Sequence, residues 1–207
     1  MEEIVEGIIL AAGLSKRMGL SKTLIAIEGD TLIGRVMTAS LEAGLHRVVL
    51  VTNSSNCRAV HTVAASAGSR LSIVVNPHPD EGMSSSIKTG LAALSPDAVG
   101  VMILLGDQPR ITAETIDRLL SIFRSDIGKI VVPTVYGRRT TPVIFPAHLF
   151  PELMATTGDV GGREVLKRNP DKVFWVEMGS GYDDTDLDTP EDVDRFMGRS
   201  NHDKTSD

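Results

Sequence analysis

Two glycines and three cations follow the first apolar run of the chain, within residues 10–22, LAAGLSKRMGLSK. Gly13 and Gly19 permit a close backbone approach that a side chain would block, and successive amides in such a loop can point at phosphate oxygens. Arg17 offers a planar fork for phosphate and Lys22 a compact positive charge. These residues predict a phosphate-binding loop. The glycines alone fit an ordinary surface loop about equally well, because their spacing matches neither GxGxxG nor the P-loop pattern GxxxxGK[ST].

An aspartate stands at the end of the most apolar strand-like segment, residues 99–105. Gly106 leaves space beside Asp107, and Pro109 turns the chain away from it. Mg²⁺ prefers one or two carboxylates together with phosphate oxygens and water, and such an ion neutralises triphosphate charge. Asp107 is therefore a candidate metal ligand. The alternative interpretation is an aspartate that begins a turn ahead of a helix.

A second acidic segment lies at residues 182–192, YDDTDLDTPED. Most of its acids should have ordinary roles. Asp183 and Asp184 are expected to be solvated, and the residues at the end of the segment should cap a last helix and form its acidic first turn. Asp186 and Asp188 are the alternatives for a second carboxylate that could face the same crevice as Asp107.

Residues 82–86, GMSSS, follow a strand-like run and open a predicted helix. Free amides and hydroxyls at a helix N-terminus suit the recognition of a base or a phosphate. A serine-capped helix without any ligand explains the same residues equally well.

Strand-like and helix-like segments alternate along the chain. The strand-like runs are continuously apolar, which predicts a mostly parallel sheet covered on both faces. The predicted strands cover residues 5–10, 47–52, 71–75, 99–105, 129–133, 142–145 and 172–177, and the predicted helices cover residues 31–43, 57–67, 84–94, 112–123 and 190–197. Ligands of such sheets bind outside the carboxyl ends of the strands. The candidate residues therefore lie where a ligand site is expected, after Leu10, after Leu105 and before the last helix.

The bulk composition predicts one domain over residues 1–197, with a polar tail at 198–207 that is expected to be disordered. A net charge of −6 argues against a nucleic-acid partner and against binding to an anionic membrane surface, and no apolar run is long enough to span a bilayer. The single cysteine, Cys57, indicates a reducing compartment, and a cytoplasmic location is expected. Trp175 lies in a strand-like run and is expected in the core.

These motifs resemble the signature sequences of the MobA/MocA-like nucleotidyltransferases. The first loop matches the pattern LAAGxSxRMGxxK at every fixed position, LLGDQP resembles the family's GDQP motif, and DLDTPED resembles its D-[IV]-D-T-P-E-D segment. The resemblance runs over about residues 4–195. The form with Ser15 and without a doubled glycine looks more like the MocA branch, the molybdopterin cytidylyltransferases, than the guanylyltransferase branch.

The resemblance implies a three-layer α/β fold of the nucleotide-diphospho-sugar transferase type, with a mostly parallel twisted sheet and a Rossmann-like nucleotide-binding half. It implies that an NMP unit passes from CTP, or from GTP, to a phosphorylated acceptor with Mg²⁺ present. Catalytic roles are implied for Arg17, Lys22 and Asp107, and metal ligation for Asp107 and Asp186, with Asp186 preferred to Asp188. The implied nucleotide-binding residues are Leu10, Ala11, Ala12, Gly13, Ser15, Lys22, Gly82, Met83, Ser84 and Gly106.

Two further segments resemble the acceptor side of the family. YGRRTTPV resembles GRRGHPVLF, which implies acceptor binding by Arg138 and Arg139, although the two threonines depart from the usual glycine and histidine or asparagine. GDVGGR resembles GDxGGR and implies acceptor binding by Asp159 and Arg163, where the alternative is a loop that caps the next helix. The implied acceptor is a molybdopterin-type cofactor. A molybdoenzyme or its chaperone is a further expected partner.

Other functions fit parts of the pattern. Guanylyl or cytidylyl transfer to another phosphorylated acceptor needs the same residues. A molybdenum-cofactor delivery protein without catalysis would need only binding, and the presence of Lys22, Asp107 and Asp186 argues against it because binding alone would tolerate their loss. An NAD-dependent oxidoreductase is disfavoured because GxGxxG is absent.

Overall fold

The computed structural model describes residues 3–13, 24–27, 29–179, 181–185, 187, 192–193, 195–196 and 198. The first half contains β1 (Val5–Leu10), β2 (Ala26–Ile27), β3 (Asp30–Thr31), α1 (Leu32–Glu42), β4 (Val48–Thr52), α2 (Cys57–Val63), β5 (Leu71–Val75) and α3 (Met83–Leu91). The second half contains β6 (Gly100–Leu105), α4 (Ala113–Ser125), β7 (Ile130–Val135), β8 (Arg138–Arg139), β9 (Val143–Pro146), α5 (Phe150–Met154), α6 (Arg163–Arg168) and β10 (Val173–Glu177). The seven predicted strands and the first four predicted helices are present, and the structure adds the short strands β2, β3 and β8 and the short helices α5 and α6.

The large sheet has the strand order β10-β7-β9-β6-β1-β4-β5, with β8 paired to β7. β1 is parallel to β4 and to β6, and the outer pairs β4–β5 and β7–β10 are also parallel. Only β9 reverses direction within this path, because it pairs antiparallel with β6 and β7. The predicted mostly parallel sheet is therefore confirmed. Since β9 runs backwards, the link from β7 to β9 turns at the carboxyl edge of β6, which is the edge where ligands are expected.

Helices cover both faces of the sheet, which confirms the predicted three layers. On one face, Val36 of α1 and Phe123 of α4 belong to a buried cluster with Ile9 of β1. On the other face, Ile87 of α3 and Val165 of α6 pack with Ile8 of β1. Successive residues of β1 point to opposite faces, so both layers share the central strand and hold its carboxyl end in place.

Two threonine caps set where the helices nearest the site begin. The Thr31 hydroxyl accepts a hydrogen bond from the Gly34 amide at the start of α1, at 3.0 Å. The Thr112 hydroxyl accepts one from the Thr115 amide at the start of α4, at 3.2 Å. An N-cap side chain of this kind satisfies one of the free amides in the first helical turn. The cap on α4 therefore fixes where the chain leaving Asp107 enters the helix.

The prediction that Trp175 lies in the core is wrong. Trp175 is 54% exposed and its neighbour Phe174 is 51% exposed. Both belong to β10, the last strand in the sheet order, so within the described part of the chain no further strand covers its outer edge. An apolar run predicts a strand, but it does not show whether that strand is central or at an edge.

A small separate cluster joins the N-terminal hairpin to the end of the chain. Ile27, Leu32, Leu187, Val193 and Phe196 are buried together there. Half of the predicted last helix, 190–197, and most of the predicted tail lie outside the described residues, and residues 192–193 and 195–196 of that helix are helical. Within the described segments, none of the helices has the length and apolar character that crossing a bilayer requires.

Candidate active site

The ends of β1 and β6 meet at the carboxyl edge of the sheet. The Gly106 amide donates to the Leu10 carbonyl at 3.0 Å, and the Ala11 amide donates to the Val51 carbonyl at 2.8 Å. Ala11 and Ala12 are each only 2% exposed, since their methyl groups pack into opposite sides of the core. The two alanines can therefore meet a ligand only through their backbone. The predicted loop residues Ser15, Arg17 and Lys22 lie outside the described residues.

Asn53 holds the start of this loop, although the sequence reasoning did not select it. It follows β4, is 4% exposed, and its Nδ2 donates to the carbonyls of Ala12 at 3.2 Å and Gly13 at 3.5 Å. Its Oδ1 accepts from the Asn56 amide at 2.9 Å. A Cβ placed on Gly13 would meet no atom of the described residues within 4 Å. The signal that could have identified Asn53 is a polar residue directly after a buried strand at the ligand edge.

The second acidic segment lies against Asp107. The backbone amide of Leu187 donates to the carbonyl oxygen of Asp107, with nitrogen and oxygen 3.4 Å apart. Leu187 is the residue between the two candidate ligands Asp186 and Asp188, which both lie outside the described residues. Carboxylates suit Mg²⁺, so the two segments that the sequence selects for a metal are neighbours in space, and their donor chemistry fits that ion.

The prediction of solvation is wrong for Asp184, whereas Asp183 keeps 33% of its side chain exposed. Asp183 pairs with Arg110, whose Nε lies 3.1 Å from the Asp183 Oδ2, and the pair lines a cavity of about 530 Å³ beside the first turn of α4. Asp184 pairs with Arg138 at 2.9 Å, and its side chain is only 14% exposed. Burial acts to raise the pKa of Asp184, but hydrogen bonds from Arg138 and Thr140 outweigh it and hold this pKa below its usual value. Ion pairs with Arg110 and Arg138 therefore hold the turn at Asp183 and Asp184 in place from two sides.

Three of the four predicted acceptor-binding residues line one cavity of about 220 Å³. Arg138, Arg139 and Arg163 supply its positive charge. Burial, and next the positive charge of Arg163, lower the pKa of Arg139, so these two guanidinium groups repel each other in a partly buried place. The remaining wall is largely apolar and includes Met83, Ile87, Ile103, Leu105, Val143, Phe145, Val160 and Leu166. This combination fits a ligand with an anionic group joined to an apolar or planar body.

The fourth predicted acceptor residue, Asp159, contacts the predicted nucleotide segment instead. Its Oδ1 accepts a hydrogen bond from the Met83 amide at the start of α3, at 3.1 Å. Gly82 precedes that amide with a φ of 89°, and a Cβ there would lie 2.5 Å from the Asp159 carboxylate. The alternative expected for residues 158–163 was a cap on the helix after them. The helix that Asp159 caps is α3 instead. The loop at residues 158–163 is therefore hydrogen-bonded to the start of α3.

The three serines that open α3 have different surroundings. Asn76, which follows β5, donates through Nδ2 to the Ser85 hydroxyl at 2.8 Å and to the Ser86 hydroxyl at 3.0 Å. Ser84 is 1% exposed, and its hydroxyl has no hydrogen-bond partner within the part of the chain that the structure describes. A buried hydroxyl without a partner costs free energy. Of the three, Ser84 is therefore the one whose hydroxyl is left without a partner among the described residues.

Comparison with known proteins shows the family of the chain. The sequence pattern of the MobA-like NTP transferase domain matches residues 7–173. The chain belongs to the MobA-like NTP transferase family. The matched region of this family member begins within β1 and ends at the first residue of β10, so it includes Asp107 and all three cavity arginines. The predicted family is thus confirmed.

Curated relatives of this MobA-like domain carry diverse names. Nicotine blue oxidoreductase of Paenarthrobacter nicotinovorans is 33% identical over 201 residues, which cover 93% of this chain and 96% of that protein. The purine catabolism protein PucB of Bacillus subtilis strain 168 is 28% identical over 91% of this chain and 93% of its own length. A probable molybdenum cofactor guanylyltransferase of Natranaerobius thermophilus is 28% identical over 66% of this chain and 63% of its own length.

A solved structure supports the fold of this MobA-like domain. Rv0371c from Mycobacterium tuberculosis H37Rv superposes with a TM-score of 0.81 at 26% identity, covering 96% of this chain and all of that one. Together with the family match, this confirms the predicted nucleotide-diphospho-sugar transferase type of fold.

Proposed function

We propose that this chain transfers an NMP unit, CMP from CTP in the first instance, to the phosphate of a molybdopterin-type acceptor. An acceptor phosphate oxygen forms a new bond to the α-phosphorus of the nucleotide. The bond from the α-phosphorus to the oxygen that bridges to the β-phosphate breaks, and its electron pair leaves with pyrophosphate. A phosphate monoester is already ionised near pH 7, so no general base is required. Catalysis then depends on positioning and charge neutralisation.

The observation that carries this proposal is the hydrogen bond between Leu187 and Asp107. It supports a site in which Asp107 and Asp186 hold Mg²⁺. The ion, when bound, would offset triphosphate charge and orient the α-phosphate. Arg17 and Lys22 of the first loop would offset charge at the α-phosphate and at the leaving pyrophosphate. Asn53 would keep the start of that loop in place through its two backbone contacts.

Two segments are proposed to bind the nucleotide. The backbone of residues 10–13, together with Ser15 and Gly106, would lie along the phosphates and ribose. The start of α3 at Gly82, Met83 and Ser84 would contact the base. Backbone amides and the Ser84 hydroxyl, which has no partner in the described residues, support this role for α3.

The acceptor is proposed to enter the 220 Å³ cavity. A phosphate between Arg139 and Arg163 would relieve the repulsion that lowers the pKa of Arg139. Arg138 is already paired with Asp184 and would shape the entrance instead. Asp159 belongs with α3 rather than with the acceptor in this proposal, because its carboxylate already accepts the Met83 amide. A cytoplasmic location and hand-over of the product to a molybdoenzyme or its chaperone follow from this reaction as part of the proposal.

A second candidate function is redox chemistry on a nucleotide-type cofactor. The observation that favours it is the relative named an oxidoreductase, which aligns with this chain over nearly the full length of both proteins. A titration with NADH, followed by cofactor fluorescence, separates the two proposals. Binding of NADH without pyrophosphate release from any triphosphate would favour this second function over the transfer reaction.

The first experiment measures pyrophosphate release with each of the four NTPs in Mg²⁺, with and without a molybdopterin acceptor. Acceptor-dependent release with CTP, abolished in Asp107→Ala, is the expected result. Asp97→Asn is the matched control, because Asp97 is exposed and lies ahead of β6, at the opposite end of that strand. Release with GTP alone would replace CTP in the proposal. Tight binding of nucleotide and acceptor with no release would contradict transfer and favour a delivery protein.

A further inference from the structure

Gln108 is the single glutamine in the chain and directly follows Asp107. It is 7% exposed, and it also contributes to the wall of the acceptor cavity. One buried side chain therefore stands between the proposed metal ligand and the proposed acceptor site. The transfer reaction itself assigns it no role.

Both ends of the Gln108 carboxamide are engaged by the two segments that flank it. The Thr141 hydroxyl donates to Oε1 at 2.5 Å, and Nε2 donates to the Asp184 carbonyl at 3.3 Å. Thr141 belongs to the link that carries Arg138 and Arg139. Asp184 belongs to the turn that carries Asp186. A carboxamide can donate and accept at once, which neither a carboxylate nor an apolar side chain of the same length can do.

Further contacts join the same two segments. The Tyr182 hydroxyl donates to the Thr141 carbonyl, and Arg138 pairs with the Asp184 carboxylate. At the far end of the turn, Leu187 bonds to Asp107. The acceptor arginines, the acidic turn and the end of β6 thus form one connected polar network with Gln108 at its centre.

We propose that Gln108 is a positioning residue that makes metal binding and acceptor binding depend on each other. This inference rests on the proposed function, because it takes the metal and acceptor sites from there. An anion between Arg139 and Arg163 and a metal at Asp107 both favour the one arrangement in which Gln108 joins Thr141 to the Asp184 carbonyl. Coupling between two sites is reciprocal. Metal in place therefore also favours the acceptor.

The test measures Mn²⁺ affinity by electron paramagnetic resonance on the full chain with CTP bound, without and with saturating phenyl phosphate. This probe combines a phosphate monoester with an apolar ring, and Arg163→Ala should remove its binding. The wild-type protein should bind Mn²⁺ about fivefold or more tightly with the probe present, the lower end of common coupling factors. Gln108→Leu should abolish this difference, so that Mn²⁺ binds equally tightly without the probe and with the probe at a concentration that saturates this variant. Gln108→Glu, which keeps only the Thr141 contact, should also lack the coupling.

The matched control is Asn169→Leu, which removes an amide that joins Glu152 to the Val165 carbonyl. It should lower the melting temperature without changing the coupling. Coupling that persists in Gln108→Leu, or that is missing in the wild-type protein, would overturn the proposal. If the coupling depends on Gln108 but the protein forms no product, this inference is supported and only the transfer reaction is contradicted.

Discussion

The Leu187 amide and the Asp107 carbonyl join two acidic segments that lie eighty positions apart, through a hydrogen bond of 3.4 Å. A distance of 3.4 Å is long for an N–H···O bond, so this bond is weak. The contact shows where the turn lies, but it contributes little to the stability of the fold. It also leaves Asp186 and Asp188 on either side of the bonded residue, which makes the choice between them testable.

Asp186→Asn should reduce kcat by more than about 100-fold, since even outer-shell partners of a metal ligand cost 10- to 100-fold when removed. Asp188→Asn should stay within about tenfold of the wild-type rate. Mn²⁺ binding in the presence of CTP should weaken in the first variant only. The reverse order would assign Asp188 as the ligand.

Ser84→Ala separates a ligand contact from a packing role. Because the Ser84 hydroxyl is buried without a partner in the described residues, its removal should leave the free energy of unfolding unchanged or raise it by about 1 kcal/mol. Binding of CTP should weaken about fivefold, as expected for one neutral hydrogen bond. Ser86→Ala is the control, since Ser86 accepts from Asn76 and its loss should destabilise the protein by about 1 kcal/mol. Urea unfolding and calorimetric titration give both values, and an unchanged CTP affinity would refute the contact.

Arg163→Ala should raise the KM for the acceptor about 10- to 100-fold and leave the KM for CTP unchanged, because hydrogen bonds to charged groups contribute about 1.5–3 kcal/mol. Arg168→Ala, at the exposed end of the same helix α6, should change neither constant. Steady-state kinetics with each substrate varied in turn provide the measurement. An equal rise in both constants would place Arg163 with the nucleotide.

Glu177 should contribute to the acid sensitivity of the fold. Hydrogen bonds from the Thr134 hydroxyl and the Tyr136 amide, and more weakly from the Gly137 amide, lower the pKa of Glu177 below its ordinary value of 4.5. A carboxyl group with a lowered pKa in the folded state stabilises the protein above its unfolded pKa, and this contribution is lost as the pH falls through the folded pKa. Glu177→Gln should therefore be less stable than wild type at pH 7, and the difference between the two proteins should be smaller at pH 3. Chemical unfolding at the two pH values checks this, and an equal difference at both would contradict it.

The sheet and the position of the site could be predicted because both depend on local patterns. Continuously apolar runs indicate buried parallel strands, and the rule about carboxyl ends then selects Leu10 and Leu105. Burial of the acidic turn could not be predicted, since Asp184 is held by Arg138, 46 positions away. Asn53 belongs to none of the motifs, and the GDQP motif draws attention to Asp107 without indicating a role for Gln108. Their roles appear only when the neighbouring strand ends come together.

The exposure of Trp175 shows a related limit. An apolar run in a sequence does not reveal which strand will stand at the edge of the sheet, and here the edge is β10. The position of Asp159 is a similar case. Its GDxGGR motif resembles the acceptor side, yet its carboxylate caps the helix that begins at Met83.

The most direct test follows the α-phosphate itself. CTP labelled with ³²P at the α position is incubated with Mg²⁺ and the molybdopterin acceptor, and the acceptor is then separated and counted. We expect label from the α position to appear in the acceptor and label from the γ position to appear only in pyrophosphate. The Asp107→Asn variant should neither transfer the α label nor release the γ label. Binding of both substrates without α-label in the acceptor would contradict the account.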